Sequence, residues 1–288
     1  MKIARTVVWL MAAYCLLPTA ASATETLFAE VDVNSAVAGC TVPAPYSSNT
    51  DGASVGATCG DSRSVGSAAA IVQHGRVGAS SSATDVTVSI GTGGQAAWGD
   101  DQVLITAAGN PGQIGTVTAS LNFIFDGGFG GFGAPSSNTV VFLDLAVNGA
   151  LFGVELQHAD NGDSCQNLSP LDFCSHFNNS VGLPVALTTP TLTLPLGTPF
   201  LVAYDINVSS TAFGPGASTD GNFLHTLGFN ANGPVLNFTD PGFTVNAGSY
   251  IVDNAYIAPV DEPAALSLLA AGLGVLQLRR RHSAANAR

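Results

Sequence analysis

The sequence predicts an all-β body, a β-sandwich or jelly roll, between two short terminal segments of different character. Three observations carry that reading. Apolar and polar residues alternate with period two, most clearly in Thr116 to Phe125 and Phe200 to Val208, as in a strand with one buried face. Short stretches of this kind are bounded by Gly, Pro, Asn and Asp, the punctuation of antiparallel sandwiches and barrels. No stretch before the C-terminal tail has helical periodicity.

Taken in order, Met1 to Ala23 reads as a secretory signal peptide. Lys2 and Arg5 start it, Thr6 to Leu17 is apolar, and Ala21-Ser22-Ala23 is a small-residue cleavage site. Cleavage makes Thr24 the first residue of the exported chain and removes Cys15. Ala13-Tyr14 before Cys15 does not suit a lipoprotein site. The exported domain, residues 24–258, opens with a strand over Thr26 to Val33. Asn34 to Arg63, rich in Ser, Gly and Pro, is expected to be mostly loop. Ala69 to Val77, Thr84 to Ile90 and Gln102 to Ala107 are short strand candidates.

In Thr116 to Phe125, Val117, Ala119, Leu121, Phe123 and Phe125 share one face, and Thr116, Thr118, Ser120 and Asn122 the other. Gly127 to Gly133 is too glycine-rich to hold a strand and is expected to be a loop. Asn138 to Val147 and Leu151 to Gln157 form a hairpin about Asn148-Gly149, a favoured turn dipeptide. Thr139, Val141, Leu143, Leu145 and Val147 face inward. Ala159 to Pro184 is a polar loop. Thr191 to Leu196 alternates again, as do Phe200, Val202, Tyr204, Ile206 and Val208. Ala212 to Asn222 is a Gly/Ser/Thr loop. Leu224 to Asn230, Val235 to Phe238, Phe243 to Val245 and Tyr250 to Val252 close the body.

Charge narrows the partners. Thr24 to Val260 contains 18 acidic residues, no Lys, and only Arg63 and Arg76 as basic residues, about −16 in all. Such a body repels nucleic acid, whose binding depends on Lys and Arg displacing counterions. It also repels acidic polysaccharide unless a divalent cation bridges them. Four cysteines remain after signal removal, Cys40, Cys59, Cys165 and Cys174, and an even count in an exported chain points to disulfides. Of three connectivities the local one, Cys40–Cys59 with Cys165–Cys174, is expected, because each pair flanks a polar stretch. Zinc is disfavoured, since no Cys-x-x-Cys spacing occurs.

The motifs are sparse. Gly52-Ala53-Ser54-Val55-Gly56 matches a hydrolase pattern but has no helix after it. Gly128 to Gly133 matches a dinucleotide pattern, yet Pro135 follows where a helix should begin. Asp100-Asp101, Asp144 with Glu155, and Asp160 with Asp163 are the candidate carboxylate pairs for glycoside hydrolysis; Asp144 and Glu155 lie across the predicted hairpin, but the expected reading is a solvated face and no enzyme. His158 to Asp163 is the richest ligand cluster, with His176 beyond it. Asp160 and Asp163 there are the candidate metal ligands, for calcium, which takes carboxylate oxygens on a flexible loop; no other cofactor is expected. His74 and His225 are read as ordinary sheet residues. Trp98, the exported body's one tryptophan, stands beside Asp100 and Asp101 and is the candidate ligand-stacking residue.

The last element is the tail, residues 259–288. Asp261-Glu262-Pro263 precedes an uncharged apolar run, Ala264 to Leu278, and then Arg279-Arg280-Arg281. As a helix the run rises about 22 Å, short for a bilayer core of about 30 Å. Snorkelling arginines and local thinning make it a workable transmembrane helix over 264–278, with the arginines cytoplasmic. A sortase signal fits less well, because Leu194-Pro195-Leu196-Gly197-Thr198 has the wrong order and lies far from the tail, and so does a glycolipid-anchor signal, whose tail normally ends apolar.

This order of Glu262-Pro263, Leu- and small-residue-rich segment and Arg279-Arg280-Arg281 resembles the PEP-CTERM sorting signal. The family's motif is Pro-Glu-Pro, and Asp261 stands at its first position here. The resemblance implies an exosortase-type processing enzyme as partner. It also implies a Gram-negative exported protein, held in the inner membrane on the periplasmic side before processing, then passed to the cell surface or extracellular matrix, with exopolysaccharide as a possible partner. The expectation is therefore a non-catalytic surface or biofilm-matrix protein. The alternative is a carbohydrate-binding module, calcium-assisted through Asp160 and Asp163 and using Trp98. A plain membrane anchor without sorting is the simpler reading of the tail.

Overall fold

Where one strand face is apolar and the other polar, burying the apolar faces of two sheets against each other removes both from water. The chain does this throughout. The computed structural model describes residues 25–35, 52–60, 63–85, 89–130, 136–160, 162–169, 173–175, 185–248 and 250–257. Ala258–Arg288 forms a separate unit from Met1–Ile257 and lies outside the described residues. So do the signal segment with Ala21, Ala23 and Thr24, the sorting residues Asp261, Glu262, Pro263, Arg279, Arg280 and Arg281, and also Cys40 and His176.

The described residues are all-β, with no helix among them. In chain order the strands are β1 (Thr26–Ser35), β2 (Ala53–Gly60), β3 (Ser64–Gln73), β4 (Arg76–Asp85), β5 (Ile90–Ala107) and β6 (Gly115–Phe125). Then come β7 (Gly128–Gly130), β8 (Ser137–Val147), β9 (Ala150–Ala159), β10 (Gly162–Asn167), β11 (Val185–Thr188) and β12 (Leu192–Leu196). The series ends with β13 (Phe200–Ala212), β14 (Ser218–Phe229), β15 (Leu236–Phe238), β16 (Phe243–Asn246), β17 (Ile251–Val252) and β18 (Ala255–Tyr256).

All pairings among the described strands are antiparallel. One sheet runs β1-β5-β13-β8-β9-β10, with β16 also on β5. The other runs β11-β6-β14-β4-β3-β2, with β12 and β15 on β6 and β7 on β14. β17 and β18 pair with each other. β3 and β4 face β5, and β4 and β14 face β13, an arrangement consistent with a β-sandwich.

The interior has two textures. One part is aromatic and large, with Trp98, Tyr204, Phe123, Phe125, Phe223 and Phe229 buried. The other is built from small residues, Ala68, Ala70, Ala79, Ala83 and Ala96. Here the sheets come very close: a Cβ on Gly94 would stand 2.5 Å from the Ala69 carbonyl oxygen and 2.8 Å from that of Ser80. A buried hydroxyl chain crosses the same region. Ser81 Oγ donates to Ser210 Oγ at 2.6 Å, and Thr139 Oγ1 lies 2.8 Å from Ser210 Oγ and 2.7 Å from Thr219 Oγ1. Each hydroxyl thus finds a partner away from water.

The alternating stretches became strands as expected. Val117, Ala119, Leu121, Phe123 and Phe125 are buried on β6, and Phe200, Val202, Tyr204, Ile206 and Val208 on β13. The β8–β9 hairpin turns at Asn148 and Gly149, both at positive φ (47° and 82°), as a tight turn of this kind requires.

Several expectations are corrected. Part of the loop predicted over Asn34 to Arg63 is β2, which pairs with β3. The strand predicted over Ala69 to Val77 is the end of β3, a turn at His74-Gly75 and the start of β4, with Gln73 opposite Arg76. Thr84 to Ile90 is not one strand, since β4 ends at Asp85 and β5 starts at Ile90. Within the glycine-rich Gly127 to Gly133, Gly128–Gly130 is a strand, held by β14. The polar stretch Ala159 to Pro184 contains β10, and β14 begins inside the loop predicted over Ala212 to Asn222. β2, β7 and β10 are set by the strands they pair with, because their small and polar residues present no apolar face to read.

Candidate functional site

The outer face of the β1-β5-β13-β8-β9-β10 sheet collects the polar chemistry of the body. Alternation sends every second residue of these strands away from the core, and the register then aligns them. Glu30 on β1 lies opposite Gln95 on β5, Gln95 opposite Asn207 on β13, Asn207 opposite Phe142 on β8, Phe142 opposite Glu155 on β9, and Glu155 opposite Gln166 on β10. The neighbouring row reads Phe28, Ala97, Asp205, Asp144 and Gly153. Gly93, Ala97, Gly99 and Ala203 leave the middle of the face low. Burial, and then the nearby Asp32 charge, raise the Glu30 carboxyl; burial raises that of Asp144.

Asp144 and Glu155, proposed from sequence as a possible acid pair, share this face but belong to different rows. Asp144 instead stands opposite Asp205, which the sequence reading did not single out. The available signal was its outward parity between Tyr204 and Ile206.

A second polar grouping closes one end of the core. Glu25 accepts the Trp98 indole N–H and lies 2.5 Å from His74 Nδ1. The His74 ring stacks on Tyr250, centroids 5.3 Å apart and planes 2° apart. Tyr250 donates its hydroxyl to Asp100 Oδ2, while Asp100 Oδ1 accepts the Gln102 backbone N–H at 2.7 Å. Tyr256 donates to the His74 carbonyl at 2.7 Å. Burial raises the Asp100 carboxyl, opposed by the Gln102 N–H and reinforced by Glu25 and Asp101. Burial, and then Tyr256, hold the Tyr204 hydroxyl well above the usual phenol range. This network orients a histidine and ties β1, the β3–β4 turn and β5 together.

The remaining predicted residues are placed as follows. Trp98 is a correction: it is 1% exposed, packed near Tyr204, Phe229 and Tyr250, and offers no stacking platform at the surface. Burying its ring in the aromatic core outweighs any exposed role. Asp163 pairs with His158 Nδ1 across β9–β10, and the His158 ring stacks on Phe129 at 5.2 Å. Asp160 accepts the Ser136 backbone N–H at 3.3 Å. Among the described residues no three His, Cys, Asp or Glu side chains gather as a metal site. Ser54 is an exposed residue within β2, not on a strand-to-helix turn. His74 sits at a hairpin turn, not within a strand, and His225 lies on β14. Cys165 and Cys174 form a disulfide, as expected. Cys59 is also disulfide-bonded, to a partner outside the described residues.

The chain matches no protein-family model, no curated protein and no solved structure.

Proposed function

We propose that this protein is exported and acts without catalysis at the cell surface or in the extracellular matrix, as a disulfide-bearing β-sandwich. The signal at Ala21-Ser22-Ala23 sends it out, and the tail from Asp261 to Arg281 holds it in the inner membrane for an exosortase-type enzyme. The observation that best supports export is cysteine oxidation: Cys59, Cys165 and Cys174 are all disulfide-bonded, a state that persists outside the reducing cytosol. The acidic, lysine-free body suits a soluble matrix component facing neutral polymer. Intact-mass measurement on protein from the native surface fraction tests this. The expected species begins at Thr24 and ends near Glu262. A reduced species retaining both Met1 and Arg288, found in the cytosol, overturns it.

A carbohydrate-binding reading is favoured by one observation, the outer-face row of Glu30, Gln95, Asn207, Glu155 and Gln166 with Phe142 among them. Carboxylates and amides accept hydroxyl donors, and the phenyl ring offers a sugar an apolar surface. This moves the ligand face from Trp98 to the outer sheet. A glycan array, run with and without calcium, is expected to give binding to neutral glycans that Phe142→Ala and Gln95→Ala weaken. An array blank under both conditions removes this reading.

A further inference from the structure

Asp205 lies in the middle of the outer sheet face, and among the described residues nothing basic faces it there. Its position in β13 points it away from the core, yet it is only 5% exposed. One carboxyl oxygen, Oδ2, accepts the Gln95 side-chain N–H at 3.2 Å. The other, Oδ1, is buried without a hydrogen-bond partner. Directly across the β13–β8 ladder stands Asp144. Asp144 is drawn over Gly153, where a Cβ would come 2.7 Å from its Oδ1.

The groups facing Asp205 come from both neighbouring strands. β5 presents Gln95 and Ala97, and β8 presents Asp144 and Phe142. One strand further out, β1 carries Glu30 and β9 carries Gly153 and Glu155. All the titratable groups among these are acidic. The body's two arginines are elsewhere: Arg63 precedes β3 and Arg76 is on β4, in the other sheet. An ionised carboxylate buried with one neutral donor, opposite a second carboxyl, is a costly state. A single bound proton removes that charge and makes the orphaned oxygen a donor beside an acidic neighbour.

We propose that Asp205 keeps its proton from the acid range up to near-neutral pH, and that the Asp205–Asp144 pair is a proton-operated latch between β13 and β8. Loss of the proton sets two like charges against each other across the middle of the sheet and loosens it. The electrostatics agree with the geometry. Burial pushes the Asp205 carboxyl up to about 7, with the Gln95 hydrogen bond opposing and the Asp144 charge adding to the rise. The sign follows. Below about pH 4 folded and unfolded chains both hold this proton, and its contribution to stability is fully present. As pH rises from about 4 to about 7 the unfolded chain gives the proton up while the folded chain keeps it, so stability falls. Above about pH 7 both states are ionised and this contribution is flat.

The test uses the full chain with its disulfides intact, by carboxyl-carbon NMR and by thermal unfolding from about pH 4 to about pH 9. The expected result is an Asp205 resonance titrating near neutrality, and a Tm that declines as pH rises through the same window. Asp205→Asn is expected to remove that part of the slope and to melt above the wild type in alkali. Asp144→Asn is expected to shift the Asp205 midpoint toward acid. An Asp205 midpoint in the ordinary carboxylate range overturns the proposal, as does an unchanged slope in Asp205→Asn. Should Asp205→Asn not fold, Asp144→Asn decides: an Asp205 midpoint that does not move overturns the coupling.

Discussion

Glu25 receives both the Trp98 indole N–H and the His74 ring, so one carboxylate joins three parts of the chain. Trp98→Phe keeps most of the buried ring but leaves that carboxylate short of a donor. It is expected to cost about 1.5–3 kcal/mol, the usual worth of a hydrogen bond to a carboxylate. Trp98→Ala is expected to cost about 3–5 kcal/mol through the cavity it opens. Urea unfolding of the oxidised protein measures both, and an unchanged midpoint in Trp98→Phe would show that the indole hydrogen bond is not stabilising. Neither Trp98 nor Asp205 was legible in its full role. Gly and Ala flank Trp98 on both sides in sequence, so no apolar face marks it as inward. Asp205 reads from its parity as a solvated residue, and the neighbours that bury it arrive from distant strands.

At the scale of elements, legibility followed residue size. β6, β8, β9 and β13 alternate large apolar with polar residues and could be read directly, together with their faces and the Asn148-Gly149 turn. β2, β7 and β10 could not. Their residues are Gly, Ala, Ser, Cys and polar groups, with one Val in β2 and one Phe in β7, and two such faces carry no period. The same small residues matter for packing where β5 crosses β3 and β4. A methyl group at position 94 meets backbone oxygens of Ala69 and Ser80, and backbone cannot rotate aside as a side chain can. Gly94→Ala is therefore expected to destabilise by about 1–3 kcal/mol, the range for overpacking a tight interior. Gly149→Ala acts differently, through backbone strain at positive φ with nothing within 4 Å to clash. A denaturation midpoint for Gly94→Ala equal to wild type would mean that the sheets separate there at little cost.

For the whole molecule, composition argues against nucleic-acid binding and cysteine number points to an oxidising compartment, expectations that depend on totals and not on arrangement. The local pairing of Cys165 with Cys174 was readable because their separation is short and polar. The Asp205–Asp144 latch belongs to this scale as well, since β13 and β8 are brought together only by the strand order β5-β13-β8-β9. What the sequence by itself determined is the all-β class, the inward faces of the strongly alternating strands, one hairpin and the acidic, lysine-free character of the body. These rest on local periodicity, turn chemistry and charge counts, which need no partner. Tertiary structure alone decided which strands are neighbours, that Trp98 is interior, and that Asp205 and Asp144 oppose each other on a face with no basic residue among the described residues. Those facts depend on register between segments far apart in the chain, and period-two alternation records which face a residue takes but not which strand lies beside it.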